Sequence, residues 1–275
     1  MYQCMIRPAN SQIGAPIFTS ERVIQKDLSG NIGTLPVHII QNTTAISILV
    51  KSLHDGRTLA TKNSSTPLPV ASIVKLVTAI TALETLDSEE RIMITPEALA
   101  TYGDSAHLRA HEFFTRDEIL WPILMMSSND AAEAIARYSG RDNFVAHMNI
   151  TAAHIGMPHS TWRDPSGISS GNVSTAEDLF LLARHISLLY PEIWEMTRTT
   201  QKTIAPSKKQ YIFHTFNNPR HHPGFVGGKN GHTTAAKDTL LYLFENSRKE
   251  KIAYIILGSS DAEHDLELLL GTLQN

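Results

Sequence analysis

The sequence has very little cysteine, no long hydrophobic run and no excess of basic residues. Its one cysteine, Cys4, cannot form an internal disulfide, which excludes a disulfide-stabilised scaffold and gives no support to thiol redox chemistry. No apolar run approaches the ~18 residues that a membrane-spanning helix requires. The 24 Lys and Arg are balanced by 27 Asp and Glu, so we expect no nucleic-acid partner.

Metal-binding motifs are also missing, although the chain has 13 histidines. There is no His-Glu-x-x-His segment and no Cys/His cluster with the spacing of a zinc site. The nearest candidate is the pair His221-His222, which precedes a Pro-Gly turn and is typical of a solvated loop. We therefore predict no metal site.

The chain does have enough apolar sequence for a large core, with 42% hydrophobic and 19% charged residues. Residues 1–35 are turn-rich and are predicted to form an arm or linker, and residues 36–275 to form the folded domain. Residues 1–20 lack the basic start and the apolar core of a secretory signal, so no export signal is predicted there.

Strand-like runs lie at both ends of the predicted domain. Residues 44–51 and 57–62 predict a hairpin, and residues 239–245 and 251–258 predict two further strands. Residues 89–171, between them, have a mostly helical pattern. We therefore predict an α+β fold, in which one antiparallel sheet is built from the N- and C-terminal segments. Helices cover its faces, and the helical stretch is an inserted subdomain.

Helix starts are predicted from capping patterns. Residues 115–118 read Thr-Arg-Asp-Glu and residues 174–177 read Ser-Thr-Ala-Glu, and both are interpreted as capping boxes. Residues 262–273 predict an amphipathic helix. The segment 127–130, Ser-Ser-Asn-Asp, separates two apolar helices, and we interpret it either as a polar turn in which Asp130 caps the next helix or as a functional cluster.

A serine and a lysine, Ser72 and Lys75, stand in the first turn of a predicted helix, whose helix-forming run continues over residues 76–86. Their spacing places both side chains on one helix face. A serine hydroxyl is a poor nucleophile until a base takes its proton, and a lysine is such a base only when burial or a second positive charge destabilises its ammonium form. The alternative is a structural pair, in which Ser72 caps a backbone amide and Lys75 extends to water.

Two further motifs follow in order, Ser127-x-Asn129 and Lys229-Asn230-Gly231. The three motifs, with flanks such as Pro-Val-Ala-Ser-Ile-Val-Lys and Gly-Gly-Lys-Asn-Gly-His-Thr-Thr, resemble the low-molecular-weight penicillin-binding proteins of the D-alanyl-D-alanine carboxypeptidase family. The resemblance covers about residues 44–260. It implies a fold like that of β-lactamases and transpeptidases and a serine DD-peptidase activity in cell wall remodelling, without a cofactor.

The resemblance also implies a role for each motif in a two-step acyl transfer. Ser72 attacks the carbonyl between the two terminal D-alanines of a peptidoglycan stem peptide, with Lys75 as its base, and water then hydrolyses the acyl-enzyme. Ser127 passes the proton to the departing amine. Asn129 holds the substrate amide and helps to fix Lys75.

On the binding side, the resemblance implies that Lys229 contacts the substrate carboxylate and helps to keep the Lys75 amine neutral. It also implies an oxyanion hole made by the backbone amides of Ser72 and His232. A helix start suits that role, because the first amides of a helix have no intrahelical partner.

Asn230 departs from the family pattern, in which a threonine or serine hydroxyl donates a hydrogen bond to the substrate carboxylate. An asparagine amide also donates, but it is longer and planar, so we expect an altered affinity for a free terminal carboxylate and for penicillin. Gly231, which completes the binding motif, keeps the glycine of the family.

Three further functions stay open. Residues 164–176, Asp-Pro-Ser-Gly-Ile-Ser-Ser-Gly-Asn-Val-Ser-Thr-Ala, resemble the endopeptidase branch of the family, which cuts D-alanyl-diaminopimelate cross-links and lacks an extra C-terminal β domain. A β-lactamase would need a deacylating glutamate, which residues 164–174 do not contain. A non-catalytic peptidoglycan-binding homologue is also considered, because of Asn230.

The substrates of the family lie outside the cytoplasmic membrane, so the resemblance implies an exported protein that is periplasmic or faces the cell wall. Its expected partners are peptidoglycan stem peptides, with β-lactam antibiotics as covalent inhibitors. No transmembrane segment is expected in this chain.

Overall fold

The computed structural model describes residues 37–103, 106–206, 209–216 and 222–273. The predicted arm at residues 1–35 lies outside these ranges, so the division into an arm and a domain stays a prediction. In chain order the elements are α1 (Val37–Gln41), β1 (Ser47–Ser52), β2 (Thr58–Lys62), β3 (Leu68–Pro69), a 3-10 turn (Ala71–Ile73), α2 (Val74–Thr85), β4 (Arg91–Met93), α3 (Pro96–Leu99), β5 (Phe113–Thr115), α4 (Arg116–Met125), α5 (Asn129–Tyr138), α6 (Arg141–Ile155), β6 (Val173–Ser174), α7 (Ala176–Leu189), α8 (Pro191–Arg198), β7 (Gln201–Ile204), β8 (Tyr211–His214), β9 (Phe225–Thr233), β10 (Lys237–Glu245), β11 (Lys251–Ser259) and α9 (Ala262–Leu273).

The central sheet has five strands in the order β2-β1-β11-β10-β9, and every neighbouring pair is antiparallel. The N-terminal hairpin joins the C-terminal strands through β1 and β11, which pair from Ser47 opposite Leu257 to Ser52 opposite Ile252. The predicted α+β fold, with one sheet built from both ends of the chain, is confirmed. Among the described strands, β9 lies at the edge of the sheet, next to β10.

Helices cover both faces of this sheet, which explains the apolar run in β11. Ile255 and Leu257 belong to a large core that they share with α2, α4, α5 and α7. Tyr254 and Ile256 belong to a second core that forms beneath α9. Because successive residues of a strand point to opposite faces, a strand that is covered on both sides is apolar throughout.

The large core surrounds α2, the helix that follows Ser72. Its residues from Val74 to Ala82 are all buried, as expected for a helix that other helices enclose. α2 packs against α4, α5 and α6. Lys75 lies within this stretch, so the fold places a lysine where a hydrocarbon side chain is normally found.

The capping predictions are confirmed in part. At α4 the Thr115 hydroxyl accepts from the Glu118 amide at 3.2 Å, and the Glu118 carboxylate accepts from the Thr115 amide at 2.9 Å, as predicted. At α7 the predicted start is one residue early, because Thr175 rather than Ser174 accepts from the Asp178 amide at 3.1 Å.

The start of α5 also differs from the interpretation of residues 127–130 as a turn in which Asp130 caps the helix. Ser128 is the N-cap, and its hydroxyl accepts from the Ala131 amide at 3.1 Å, whereas Asp130 is already inside the helix. The prediction that Asp130 caps this helix is therefore wrong. Several residues of a Ser-Ser-Asn-Asp run have capping side chains, and the cap is whichever of them precedes the first helical residue.

The stretch 89–171 contains the four helices α3 to α6, which make up a little under half of it, and it also contains the short antiparallel pair β4–β5. Strands of three residues show too few alternations for the pattern to be recognised in the sequence. None of the helices in the described ranges combines the length and the apolar character that crossing a membrane needs.

Candidate active site

Ser72 lies in the 3-10 turn that leads into α2, two residues before α2 begins, and not in the first turn of the α-helix as predicted. The preceding residue, Ala71, has a left-handed φ of 48°. Two glycines press against this turn: a Cβ on Gly167 would lie 2.3 Å from the Ala71 carbonyl oxygen, and one on Gly231 would lie 2.6 Å from the Ser72 amide nitrogen. Side chains are therefore excluded from both sides of the Ser72 backbone.

Lys75 is completely buried, and its amine has three oxygen neighbours. The Nζ atom lies 2.9 Å from the Ser72 hydroxyl and 2.7 Å from the Asn129 side-chain oxygen, and it also bonds to the Ser166 backbone carbonyl. The amide and carbonyl oxygens can only accept hydrogen bonds. A neutral amine that donates its two protons to them directs its lone pair at the Ser72 hydroxyl, which is the arrangement that a general base requires.

The alternative interpretation of Ser72 and Lys75, in which Lys75 extends to water, is wrong. A lysine that reaches water would be exposed at its amine, whereas Lys75 has no exposed surface at all. Burial disfavours the charged form of an amine, because the low-dielectric interior solvates it less well than water does.

Ser127 and Asn129 lie at the junction of α4 and α5. Ser127 is 4% exposed and has a left-handed φ of 57°, which is uncommon for a residue with a side chain and costs about 1–3 kcal/mol. Asn129 uses both ends of its amide, since its oxygen accepts from Lys75 and its nitrogen donates to the Tyr102 carbonyl at 2.8 Å. The junction is thus more than a turn, because it brings the Asn129 side chain to the Lys75 amine.

The third motif lies on the edge strand β9. Lys229 is 1% exposed, and its amine donates to the Asn230 backbone oxygen at 2.7 Å. Lys229 pairs with Leu241, which belongs to the core around α2, whereas Asn230 pairs with Leu240 of the core beneath α9. Cross-strand partners share a face of the sheet, so Lys229 faces the side of the sheet on which Lys75 is buried.

A cleft of about 460 Å³ opens at this edge of the sheet. Five of the predicted site residues line it: Ser72, Ser127, Asn230, Gly231 and His232. The other three, Lys75, Asn129 and Lys229, are buried. The cleft has the size of a pocket for a small ligand or the end of a peptide.

The histidines of the region have structural partners. The His232 ring nitrogen Nδ1 lies 2.6 Å from the Asp238 carboxylate, and the His222 ring packs edge-on against Phe244. His221, the other member of the candidate metal pair, lies outside the described residues. Within the described ranges, no three His, Cys, Asp or Glu side chains are grouped so that they could hold a metal ion.

The loop formed by residues 164–172 contacts Lys75, which its resemblance to the endopeptidase branch does not predict. It supplies the Ser166 carbonyl to Lys75, and its Asp164 carboxylate, 6% exposed, accepts hydrogen bonds from several loop donors. Burial acts to raise the pKa of Asp164, but hydrogen bonds from the amides of Gly167, Ser169 and Ser166 outweigh it and hold the pKa below the ordinary 3.8. The Asp-Pro-Ser-Gly run predicts a turn, but it gives no sign of a carbonyl directed at a lysine.

The model of the D-alanyl-D-alanine carboxypeptidase family matches residues 36–260. The chain belongs to the D-alanyl-D-alanine carboxypeptidase family. The match includes every residue that the structure brings together around Ser72 and Lys75.

The chain is similar to curated members of the family that are named carboxypeptidases and to others that are named endopeptidases. D-alanyl-D-alanine carboxypeptidase DacF of Bacillus subtilis is 27% identical over 223 residues, which cover 78% of this chain and 57% of the relative. A D-alanyl-D-alanine endopeptidase of Pseudomonas aeruginosa is 33% identical over 186 residues, which cover 66% of this chain and 59% of the relative. The chain thus spans less than two thirds of the length of these relatives.

Solved members of the same fold agree with the architecture. The D-alanyl-D-alanine carboxypeptidase of Mycobacterium tuberculosis superposes with a TM-score of 0.79 at 24% identity, over 87% of this chain and 93% of that one. Penicillin-binding protein D2 of Listeria monocytogenes, in its cefotaxime-bound form, gives a TM-score of 0.74 at 26% identity, over 85% and 98%. The predicted DD-peptidase type of fold is confirmed.

The pKa of Asp164 leads to a prediction about stability and pH. The pKa is lower in the folded state than in the unfolded state, so ionised Asp164 stabilises the fold above pH 3.8, and this contribution is lost as the pH falls through the folded-state value. We expect Asp164→Asn to lower the free energy of unfolding at pH 7 by on the order of 2–3 kcal/mol. Thermal unfolding of wild type and Asp164→Asn between pH 7 and pH 3 measures the difference in stability between the two proteins, which should become smaller in acid. A difference that is constant over this range would contradict the prediction.

Proposed function

We propose that this protein is a serine DD-peptidase that hydrolyses the D-alanyl-D-alanine bond of peptidoglycan stem peptides through an acyl-enzyme on Ser72. The observation that carries the proposal is the buried Lys75 amine, 2.9 Å from the Ser72 hydroxyl and hydrogen-bonded to two oxygens that can only accept. Membership of the family and the names of its relatives support the same activity.

In the acylation step, Lys75 takes the proton of Ser72 while the serine oxygen bonds to the substrate carbonyl carbon. The carbonyl oxygen becomes an oxyanion, for which the backbone amides of Ser72 and His232 are the proposed donors. The close approach of Gly231 to the Ser72 amide supports this assignment, because it joins the edge strand to the serine-bearing turn.

Breakdown of the tetrahedral intermediate requires a proton on the departing amine. Ser127 is proposed to deliver it and to receive in exchange the proton that Lys75 took from Ser72, which leaves Lys75 neutral again. Ser127 lines the same cleft as Ser72. Asn129 is proposed to hold the substrate amide while its oxygen fixes Lys75 at 2.7 Å. Water then attacks the ester, with Lys75 again as the base, and releases the shortened peptide.

Lys229 is proposed to recognise the terminal carboxylate of the substrate, and Asn230 stands beside it in place of the hydroxyl that the family uses for this contact. The buried Lys229 ammonium supplies positive charge beneath β9, and Asn230 lines the cleft itself. Both residues lie on the edge strand next to Ser72, so a substrate bound along β9 presents its terminal group to them.

The endopeptidase activity is the second candidate, because the relatives from Pseudomonas aeruginosa and Escherichia coli, at 33% and 31% identity, are named endopeptidases. Mass spectrometry of purified peptidoglycan after digestion separates the two activities. A carboxypeptidase releases D-alanine from uncross-linked stems, whereas an endopeptidase converts cross-linked dimers into monomers.

A non-catalytic role and a β-lactamase activity have less support. The 2.9 Å contact between the Lys75 amine and the Ser72 hydroxyl supports a catalytic role over a non-catalytic one. In the loop 164–172 the residue that approaches Lys75 offers a backbone carbonyl and no glutamate, which disfavours a β-lactamase. A Listeria relative binds cefotaxime, and we propose that β-lactams acylate Ser72 here as well. We also propose that the protein acts outside the cytoplasmic membrane, where stem peptides are found.

Removal of the nucleophile tests the proposal. Ser72→Ala should abolish covalent labelling by a fluorescent penicillin without unfolding the protein, because only one partly exposed hydroxyl is lost. Labelling on a denaturing gel and a thermal unfolding curve measure the two effects. Ser88→Ala, away from the cleft, is the control and should label normally. Persistent labelling of the Ser72 variant would mean that another residue is the nucleophile.

The departure at Asn230 generates a prediction about substrate preference. A binding site that lacks one hydrogen bond to a charged group discriminates against that group. Asn230→Thr should therefore raise kcat/KM on a peptide ending in D-alanyl-D-alanine relative to a cross-linked dimer by roughly tenfold, since such a bond is worth about 1.5–3 kcal/mol. An equal change on both substrates, or a loss on the first, would show that the asparagine already makes this contact.

A further inference from the structure

Of the three oxygens that bond to the Lys75 amine, that of Ser166 belongs to the backbone, whereas the other two belong to side chains. The direction of this carbonyl therefore depends on the conformation of the loop 164–172. If the carbonyl turns away, a neutral amine loses an oxygen that can only accept, and its lone pair is no longer held towards Ser72.

Asp164 controls that conformation through one peptide plane. The amide of Gly167 donates to the Asp164 oxygen Oδ1 at 2.6 Å, and this amide belongs to the same peptide group as the Ser166 carbonyl. In a trans peptide the N–H and the C=O point in opposite directions. The Asp164 carboxylate thus accepts from the N–H of this peptide group, and the Lys75 amine bonds to its carbonyl oxygen.

The same carboxylate fixes the rest of the loop. Oδ1 also accepts from the amide and the hydroxyl of Ser166, at 2.9 and 2.8 Å, and Oδ2 accepts from the Ser169 amide at 2.7 Å and the Asn172 side chain at 3.0 Å. All of these donors lie within eight residues of Asp164. Both carboxylate oxygens are therefore occupied by donors of this one loop.

The loop is also held against the helix that carries Lys75. The Thr78 hydroxyl, one turn after Lys75, donates to the Pro165 carbonyl at 2.7 Å. Gly167, with a φ of 94°, packs its backbone against Ala71 so closely that a Cβ would lie 2.3 Å from the Ala71 carbonyl oxygen. The Ser166–Gly167 peptide is thereby confined between the Asp164 carboxylate on one side and the serine-bearing turn on the other.

We propose that Asp164 is a positioning residue for the acyl transfer, because it orients the Ser166–Gly167 peptide so that its carbonyl holds the Lys75 amine towards Ser72. The role rests on the proposed function. It goes beyond stabilisation of the loop, since a purely structural carboxylate would affect folding without changing the rate at which folded enzyme reacts.

Asp164→Asn is the test. The variant keeps the shape of the side chain, but its NH2 group must face one of the two sets of donors, so the loop cannot satisfy both. We expect the limiting rate of acylation by penicillin to fall by about tenfold to a hundredfold, the cost of a displaced catalytic group. The penicillin concentration that gives half of this rate should change much less, because Asp164 does not line the cleft.

Asp265→Asn is the matched control for damage to the fold. Asp265 is likewise a buried carboxylate, and it accepts from the Thr44 amide at 2.9 Å and the Ser259 hydroxyl at 2.7 Å, away from Lys75. This variant should lower Tm and leave the acylation rate within about twofold of wild type. Both variants are measured well below their Tm values. Equal acylation rates for the two folded variants would overturn the role of Asp164.

A second pair of variants, with smaller changes, tests the role of Asp164 if Asp164→Asn does not fold. Ser166→Ala removes one donor from Oδ1 and keeps the charge, and Ser259→Ala removes the corresponding donor from Asp265. Only Ser166→Ala should slow acylation, by about threefold, the effect of one weakened hydrogen bond. Unchanged acylation in Ser166→Ala and Ser259→Ala would overturn the role.

The wild-type protein separates this inference from the proposed function. A wild type that penicillin does not label at Ser72 would overturn the proposed function and, with it, the role of Asp164. A labelled wild type with an unimpaired Asp164→Asn variant would overturn the role alone. A crystal structure of that variant gives an independent readout, in which the Ser166 carbonyl should have moved out of reach of Lys75, and an unchanged contact would contradict the inference.

Discussion

The burial of one amine, that of Lys75, is the constraint on which the rest of the site depends. A buried lysine is costly unless its polar atoms are paired or its charge is lost. Here the amine meets three oxygens that come from separate segments: the serine-bearing turn, the start of α5 and the loop 164–172. These segments must therefore fold together before the Lys75 amine is held beside the Ser72 hydroxyl, so this arrangement forms only as part of the whole domain.

The central sheet positions the rest of the site, which lies on the edge strand β9. Because β1 pairs with β11, the two ends of the chain form one sheet, and the edge strand β9 comes to lie beside the turn that carries Ser72. Gly231 permits that approach, since a side chain there would collide with the Ser72 amide. The groups on β9 that are proposed to bind the substrate and the proposed nucleophile in the turn before α2 thus lie at one edge of the sheet. This arrangement suits a reaction that depends on fixed geometry.

The sequence predicts the features that repeat along an element or occur in a motif. The strands of the sheet and the helix Ala262–Leu273 show a periodicity, and the motifs name both side chains that bond to the Lys75 amine, Ser72 and Asn129. It does not predict features that depend on the path of the backbone. The carbonyl of Ser166 has no side-chain signature, the left-handed φ of Ser127 follows from its surroundings, and Ser128 displaces Asp130 as a cap by a shift of two residues.

The central claim is that Lys75 is the base that activates Ser72. Lys75→Met tests it most directly, because methionine fills a similar volume in the core and removes only the amine. The measurement is the rate at which penicillin acylates Ser72, with the modified peptide identified by mass spectrometry. The account predicts a folded variant that acylates on the order of 10²–10⁴-fold more slowly than wild type. A rate close to that of wild type would contradict it, because another group would then have to take the serine proton.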